Sequence, residues 1–509
     1  MKAFTEPLLS LAGFEEMTKT AEKSSGLISV TGCIDAQKSQ MIYAFGGHRK
    51  NKLIVTFGEQ KAKELYDEYS FFDKEVVYYP SKDVLFYQSD IRGNLLTAER
   101  IRALKAIHEQ ESVTLVTTFD ALMNTMAPIE KMWENVLTLE QGQLLDLKEI
   151  QAALIRMGYE KEYQVQTMGQ FSVRGGILDV FPLTEENPIR IELWGDEIDT
   201  IRYFDCESQK SIENTDRVSI YPAAELVLSD EEKAGGIEKL KAEAKRVSDK
   251  LRKQMKTEEA HRVTVMADEL TEEWGELSMY AGMDAFLSYF FDERVGLLDY
   301  FNPSDSLIFF DELTRCAEQG KLTETEFSES MKQRLAMGYI LPGQMNGLFT
   351  EKEIVAKLGK YSCIALAALD NKANGLHQLG SYGIHCQSVS PYNNSFELLI
   401  KDLKRYKKNG YRVILLSGSR TRAKRLSEDI TDQGITCFYT ENYDHELFEG
   451  QIMVCYGKVR RGFEYPILKF AVITESDIFG AQQKKKKQRV ITYVISLHWK
   501  LWGARNLEM

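Results

Sequence analysis

Three times in the first 125 residues, a short apolar run gives way to a helical pattern. LISVTG (27–32) precedes a helix-like stretch, KLIVTF (52–57) precedes EQKAKELYDEY, and TLVTTFDALMN (114–124) repeats the unit. Strand, loop and helix at this spacing predict a parallel α/β sheet. Near residue 136 the pattern changes. From 162 to 221 the text reads as strands, in EYQVQTMGQFSVRGGILDVFPL and IRIELWGDEIDTIRYFD, with Gly195-Asp196 as a hairpin turn between two alternating runs. A small, mainly β domain inserted into the α/β one is expected.

Residues 229–257 form a charged helix with a narrow apolar stripe of Ile237, Leu240, Ala244, Val247 and Leu251, the kind of helix that bridges domains. SLIFFDEL (306–313) reads as a buried strand ending in acids, and a last α/β unit runs from about 391 to 480. The expected division is 1–136, an insert at 137–222, 223–390 completing the first α/β domain, 391–480, and a basic stretch with a tail at 481–509. A chain of 509 residues accommodates such a division, since about 150 residues make one domain.

The bulk numbers exclude several classes. A net charge of -12 disfavours a protein whose main task is wrapping nucleic acid. The seven cysteines are scattered with no C-x-x-C pair, so neither a disulfide framework nor a zinc site is suggested, and a reducing cytoplasm fits. The start does not look like a signal peptide, and SCIALAAL (362–369) is too short to span a bilayer. A cytoplasmic monomer without a metal is expected.

The chemistry candidates begin with GCIDAQKS (32–39). Gly32, Lys38 and Ser39 match the phosphate-binding pattern G-x-x-x-x-G-K-[ST], but Gln37 replaces its second glycine. A glutamine brings a Cβ and an amide where the backbone should wrap the phosphates, and Asp35 adds a negative charge beside an intended polyanion. If that position needs a left-handed backbone, the cost is roughly 1–2 kcal/mol. Asp311 and Glu312 end an apolar strand, where an ATPase of helicase type holds Mg²⁺; alternatively they cap the next helix. In VRRGFEYP (459–466), Arg460 and Arg461 face either solvent or DNA, and no later arginine-finger segment follows. In the insert, alternation places Ile189, Ile191 and Leu193 on one face and Arg190, Glu192 and Trp194 on the other. Arginine and tryptophan on a solvent face are the residue types that anchor protein interfaces, and Arg174 is a plausible neighbour on an adjacent strand. The bland reading is that Trp194 covers the hairpin edge and the arginines pair with Glu192 or Glu197.

The insert resembles the UvrA-binding domain shared by UvrB and the transcription-repair coupling factor (Mfd) family. The VTGCIDAQKS, YYPSKDVLFYQSDIRGN and GFEYPILKFAVITESDIFG stretches are similar to the coupling factors rather than to UvrB, which keeps an intact phosphate loop and a long hairpin absent here. The resemblance covers about residues 1–483. It implies a degenerate helicase-like fold of P-loop NTPase type, an inserted UvrA-binding domain and a second small α/β domain. It further implies UvrA as partner, contacted through Arg174, Arg190 and Trp194, with phenylalanine commoner than tryptophan in the last slot. No catalytic residue is expected in this chain. ATP, Mg²⁺, RNA polymerase and double-stranded DNA belong to parts of the family beyond this segment. KKKK (484–487) and the residues after it match nothing in the family, and a frameshift at the lysine run would explain them. The alternative is a nucleic-acid-dependent ATPase of UvrB type.

Overall fold

The computed structural model describes residues 1–46, 49–82, 94–276, 283–369 and 375–480. The lysine run and the residues after it lie outside these, as does most of the YYPSKDVLFYQSDIRGN stretch, so the comparison with the UvrB hairpin rests on sequence alone.

The three early apolar runs are neighbours or near-neighbours in one seven-stranded sheet. Its order is Gln378–Gly383, Gly26–Thr31, Ser362–Leu366, Ser306–Asp311, Asn51–Thr56, Thr114–Thr118 and Val77–Tyr79. Every pairing in it is parallel. SCIALAAL, noted in the sequence only as too short for a membrane, supplies an inner strand. A parallel sheet is covered on both faces, so successive side chains enter different cores. Ile54, Phe309 and Ile364 point into one cluster, while Leu53, Phe310 and Cys363 point into the other.

A second sheet of six strands runs Gln387–Ser388, Phe463–Tyr465, Phe470–Thr474, Arg412–Ser417, Ile452–Tyr456 and Phe438–Tyr439. One face of it, with Ile414, Leu416, Met453 and Val472, belongs to the same buried cluster as Ile54 and Ile364. The two sheets therefore share a core, with helix Asp35–Phe45 placed to contribute Met41, Ile42 and Phe45. Gln40 is buried in this junction. Its amide donates to the Phe4 carbonyl at 2.5 Å, and its oxygen accepts from the Tyr465 hydroxyl at 3.2 Å. Gly457 has room for no side chain, because a Cβ there would lie 2.7 Å from both Leu416 and Phe71.

The insert begins and ends on a short antiparallel pair, Leu137–Glu140 with Arg217–Ile220. Beyond this neck a separate sheet runs Ser211–Thr215, Glu197–Phe204, Ile189–Trp194, Ile177–Val180, Gln170–Arg174 and Glu160–Lys161. Phe171, Val180, Ile189, Ile191 and Ile201 form its core against Ile150 and Leu154 of helix Leu147–Arg156. The chain leaves the insert at Glu225, whose carboxylate receives Arg100 through two bonds of 2.8 and 3.0 Å and Lys82 at 3.0 Å. Those bonds fix where the insert joins the body.

The charged helix is Asp230–Lys253, opened by a capping box at Ser229. It does not bridge domains. Its stripe packs on the next helix, Thr257–Glu276, burying Leu240, Ala244 and Leu251 with Val263 and Trp274. Two antiparallel amphipathic helices bury each other's stripes, which removes the need for a distant partner. No helix among the described residues is long and apolar enough to cross a membrane.

Phe71 sits in the core shared by the two sheets. We expect Phe71→Ala to cost about 3–5 kcal/mol. Hydrogen exchange will show amides of Gly26–Thr31 and Arg412–Ser417 losing protection by the same amount; acceleration in one sheet alone contradicts a shared core.

Candidate functional site

The degenerate phosphate loop is filled by the protein itself. Gly32 adopts φ +79°, and a Cβ there would run into the Ile384 carbonyl oxygen. The amides of Gly32 and Cys33 donate to the carbonyls of Ala368 and Ala367 at 3.2 and 2.9 Å. Two of the donors that such a loop offers to phosphate are thus spent on the neighbouring strand's exit. Helix Asp35–Phe45 starts at Asp35, which puts Gln37 and Lys38 in its first turns. Gln37 is therefore helical rather than left-handed, and the backbone penalty considered from sequence does not arise. Its side chain is wholly buried, in the space a second glycine would have left open.

Lys38 turns inward. Its ammonium, 1% exposed, lies 2.5 Å from Asp311 Oδ1, 2.9 Å from Glu312 Oε1 and 3.2 Å from Asp35 Oδ1. Burial works against its charge, but Asp311 and then Glu312 outweigh it, and the lysine is held above its ordinary pKa. Its contribution to stability is therefore complete below the ordinary lysine pKa and is lost as pH rises from there through the elevated value. Asp311 also accepts from Thr56 Oγ1 at 3.2 Å. Glu312 sits at φ 59° and receives the Ala368 amide at 3.1 Å; its side chain makes no cap to helix Leu313–Ala336. The lysine and the acids that would grip a nucleotide and its magnesium instead neutralise one another.

Beside this cluster, Asp35 also meets Lys61 at 2.8 Å, and Glu64 meets Arg460 of the second sheet's lobe at 2.6 Å. Glu68, on the same helix as Lys61 and Glu64, is 8% exposed. Burial pushes its carboxyl up to about 7, against the pull of Lys61 and Arg460 and with help from Asp35 and Glu64.

The insert presents a different arrangement. Register confirms the alternation: Ile189 and Ile191 face the core, and a bulge between Glu192 and Leu193 brings Trp194 opposite Glu197. Trp194 stands 84% exposed at the hairpin tip, where Gly195 takes φ +66°. Arg190 is less open than alternation suggests, with its side chain 12% exposed. It grips Asp179 through Nε at 2.6 Å and Nη2 at 2.8 Å, reaches Gln209 at 2.9 Å and lies 4.3 Å over Phe204. Arg174 meets the same Asp179 at 2.7 Å. Neither arginine pairs with Glu192 or Glu197; Glu192 is taken by Arg202 at 2.6 Å. Asp179, 1% exposed, is the residue the sequence reading missed. Its signal was a lone acid in the otherwise apolar ILDV run, directly across from Arg190. One buried carboxylate between two arginines leaves a fixed, net positive face. Next to Trp194 a cleft of about 750 Å³ is lined by Glu140, Glu197, Asp199, Asp216 and Arg217.

Fold and sites define a class: a helicase-like α/β body whose Gly32–Ser39 segment is filled by internal bonds, carrying an inserted, mainly β module. Residues 137–226 match the family described as the UvrB interaction domain. The chain is 28% identical over 438 residues to the transcription-repair-coupling factor of Bacillus subtilis (strain 168), covering 86% of this chain and 37% of that protein. It is 26% identical over 475 residues to that of Staphylococcus haemolyticus, covering 91% and 39%, and 26% identical over 509 residues to that of Staphylococcus aureus (strain MRSA252), covering 97% and 41%. The chain is thus similar to transcription-repair-coupling factors over 86–97% of its own length and spans about two fifths of the length of these relatives.

Two predictions follow from the filled loop. Lys38→Met strands Asp311 without its charge partner and will lower the unfolding free energy by about 3–5 kcal/mol in urea titration; no loss of stability contradicts the ion cluster. Glu68→Gln will stabilise the protein at pH 8 by on the order of 2 kcal/mol. A carboxyl raised in the folded state is tolerated while protonated and becomes costly as pH climbs from its unfolded pKa to about 7. The advantage will therefore vanish below pH ~4, and an equal effect at both pH values contradicts the assignment.

Proposed function

We propose that this chain is a recruitment module that captures UvrA through the outer face of its insert, as part of transcription-coupled nucleotide excision repair, and that it performs no catalysis itself. The observation that carries the reading is the Arg174–Asp179–Arg190 clamp beside the exposed Trp194. A guanidinium pair already held in place loses little freedom on binding, and an exposed aromatic at its margin supplies buried area. The match of this segment to the UvrB interaction domain supports the same partner. The excess positive charge of the clamp favours an acidic patch on UvrA. The body acts as a platform, since its phosphate loop is spent on internal bonds.

Capture of purified UvrA by the immobilised chain tests the proposal. Trp194→Ala and Arg174→Gln, which leaves Asp179 its bidentate bond to Arg190, will each weaken capture more than about tenfold while the melting temperature stays at that of the parent. These positions are preferable to Arg190→Glu, which sets a second carboxylate against buried Asp179 and would damage the module. Undiminished capture by both variants overturns the proposal. DNA-stimulated ATP hydrolysis that Lys38→Ala removes would favour a UvrB-type ATPase instead.

A further inference from the structure

At the amino ends of the first sheet's strands lies a polar cavity of about 390 Å³, whose wall includes Tyr43, Arg49, Lys50, Lys52, Asp73 and Thr114. Lys52 stands near the start of strand Asn51–Thr56 and faces Thr114, which begins the neighbouring strand. The strands are parallel, so this edge is opposite to the one that carries Gly32, which follows strand Gly26–Thr31. Ligand crevices of open parallel sheets lie outside the carboxyl ends. The cavity is therefore separate from the filled loop. The stem of Lys52 rests on the bare Cα of Gly46, where a Cβ would stand 2.5 Å from the lysine Cδ.

Arg49, Lys50 and Lys52 form no ion pair among the described residues. Arg49 spends Nη2 on the carbonyls of Ala21 and Glu22, at 3.0 and 2.7 Å, and its buried Nε has no hydrogen-bond partner among the described residues. Two acids share the wall. Asp73 already accepts the Thr114 hydroxyl at 2.8 Å and the Glu75 amide at 3.1 Å, and Glu75 itself is exposed. Lys38 and Lys82 show how this fold treats other inward-turned lysines. Each meets two carboxylates, Asp311 and Glu312 for the first and Glu225 and Asp284 for the second. Burial opposes their charge, yet those acids hold both above the ordinary lysine pKa. Lys52 is held below it, because burial dominates and Asp73 offsets only part. An ammonium withdrawn from water without an anion is costly, and its cationic neighbours add repulsion. A local rule broken without structural gain is expected where a ligand supplies the compensation.

We propose that this cavity binds a small phosphate-bearing anion, with Lys52 and Lys50 as its charge partners. The ligand class follows from the chemistry. Two ammonium groups are point charges on flexible stems, which suit a compact, doubly charged oxyanion without demanding the planar geometry of an arginine fork. The cavity falls within the range of small-molecule sites, roughly 300–1,000 Å³, and so has room for an organic body behind the phosphate. The phosphate is either free or the end group of a small ester.

The test is isothermal titration calorimetry of the full chain with inorganic phosphate and with glycerol 3-phosphate, in chloride buffer of constant ionic strength. The parent will bind one equivalent of at least one probe, and the tighter of the two identifies free phosphate or an ester as the source. Lys52→Met keeps the stem and removes the charge; it will bind at least about tenfold more weakly. In phosphate-free buffer it will melt no lower than the parent, since the charge it removes has no partner. Added phosphate will raise the melting temperature of the parent and leave that of Lys52→Met unchanged. Lys50→Ala changes an exposed position and will bind several-fold more weakly, so the test stands even if Lys52→Met fails to fold. The control Lys401→Ala, on helix Phe396–Lys408, will bind like the parent. No heat with either probe, undiminished binding in every cavity variant that folds, or an equal loss in the control each overturn the proposal.

Discussion

One apolar core is shared by two sheets, and the rest of the molecule is arranged around that constraint. Sliding one sheet against the other would expose Ile414, Met453 and Val472 together with Ile54 and Ile364, at about 25 cal/mol for each Å² uncovered. Gln40 adds a polar tie across the junction, from the N-terminal segment to Tyr465. A nucleotide-driven machine needs lobes that change their relation as ligand comes and goes. A common core built from both lobes opposes such movement.

The filled loop belongs to the same economy of structure. A buried ammonium without a ligand phosphate must find anions or leave the interior. Here it finds Asp311 and Glu312 at 2.5 and 2.9 Å. Gly32 needs its left-handed backbone and its missing side chain, because the Ile384 carbonyl passes where a Cβ would stand. The mutual bonds of Lys38, Asp311 and Glu312 are part of the folding energy.

The insert separates rigidity from display. Its core closes behind Ile189 and Ile191, its neck closes on Leu139 and Val218, and Glu225 is pinned by Arg100 where the chain returns. That leaves one face free to carry polar groups whose geometry is set from within. Asp179 aligns the two arginines by charge-assisted bonds, which cost entropy once, at folding, rather than at each encounter.

Much of this was legible in the sequence. Apolar runs of five or six residues at regular spacing could only be strands covered on both sides, and period-two alternation in 189–194 placed Arg190 and Trp194 on the outer face. The Gln37 substitution and Asp35 already argued against an ordinary phosphate loop. Tertiary structure alone decided the rest. Asp179 lies 11 residues before Arg190 in sequence but directly across a strand pair, and Lys38 meets Asp311 from 273 residues away. The apolar stripe at 237–251 could not name its partner, because periodicity specifies a face and not what covers it. Local pattern follows from nearest-neighbour backbone geometry, which the sequence carries in full. Whether a charge is solvated, paired or aimed at a partner depends on which distant segments fold against it, and only the assembled chain determines that.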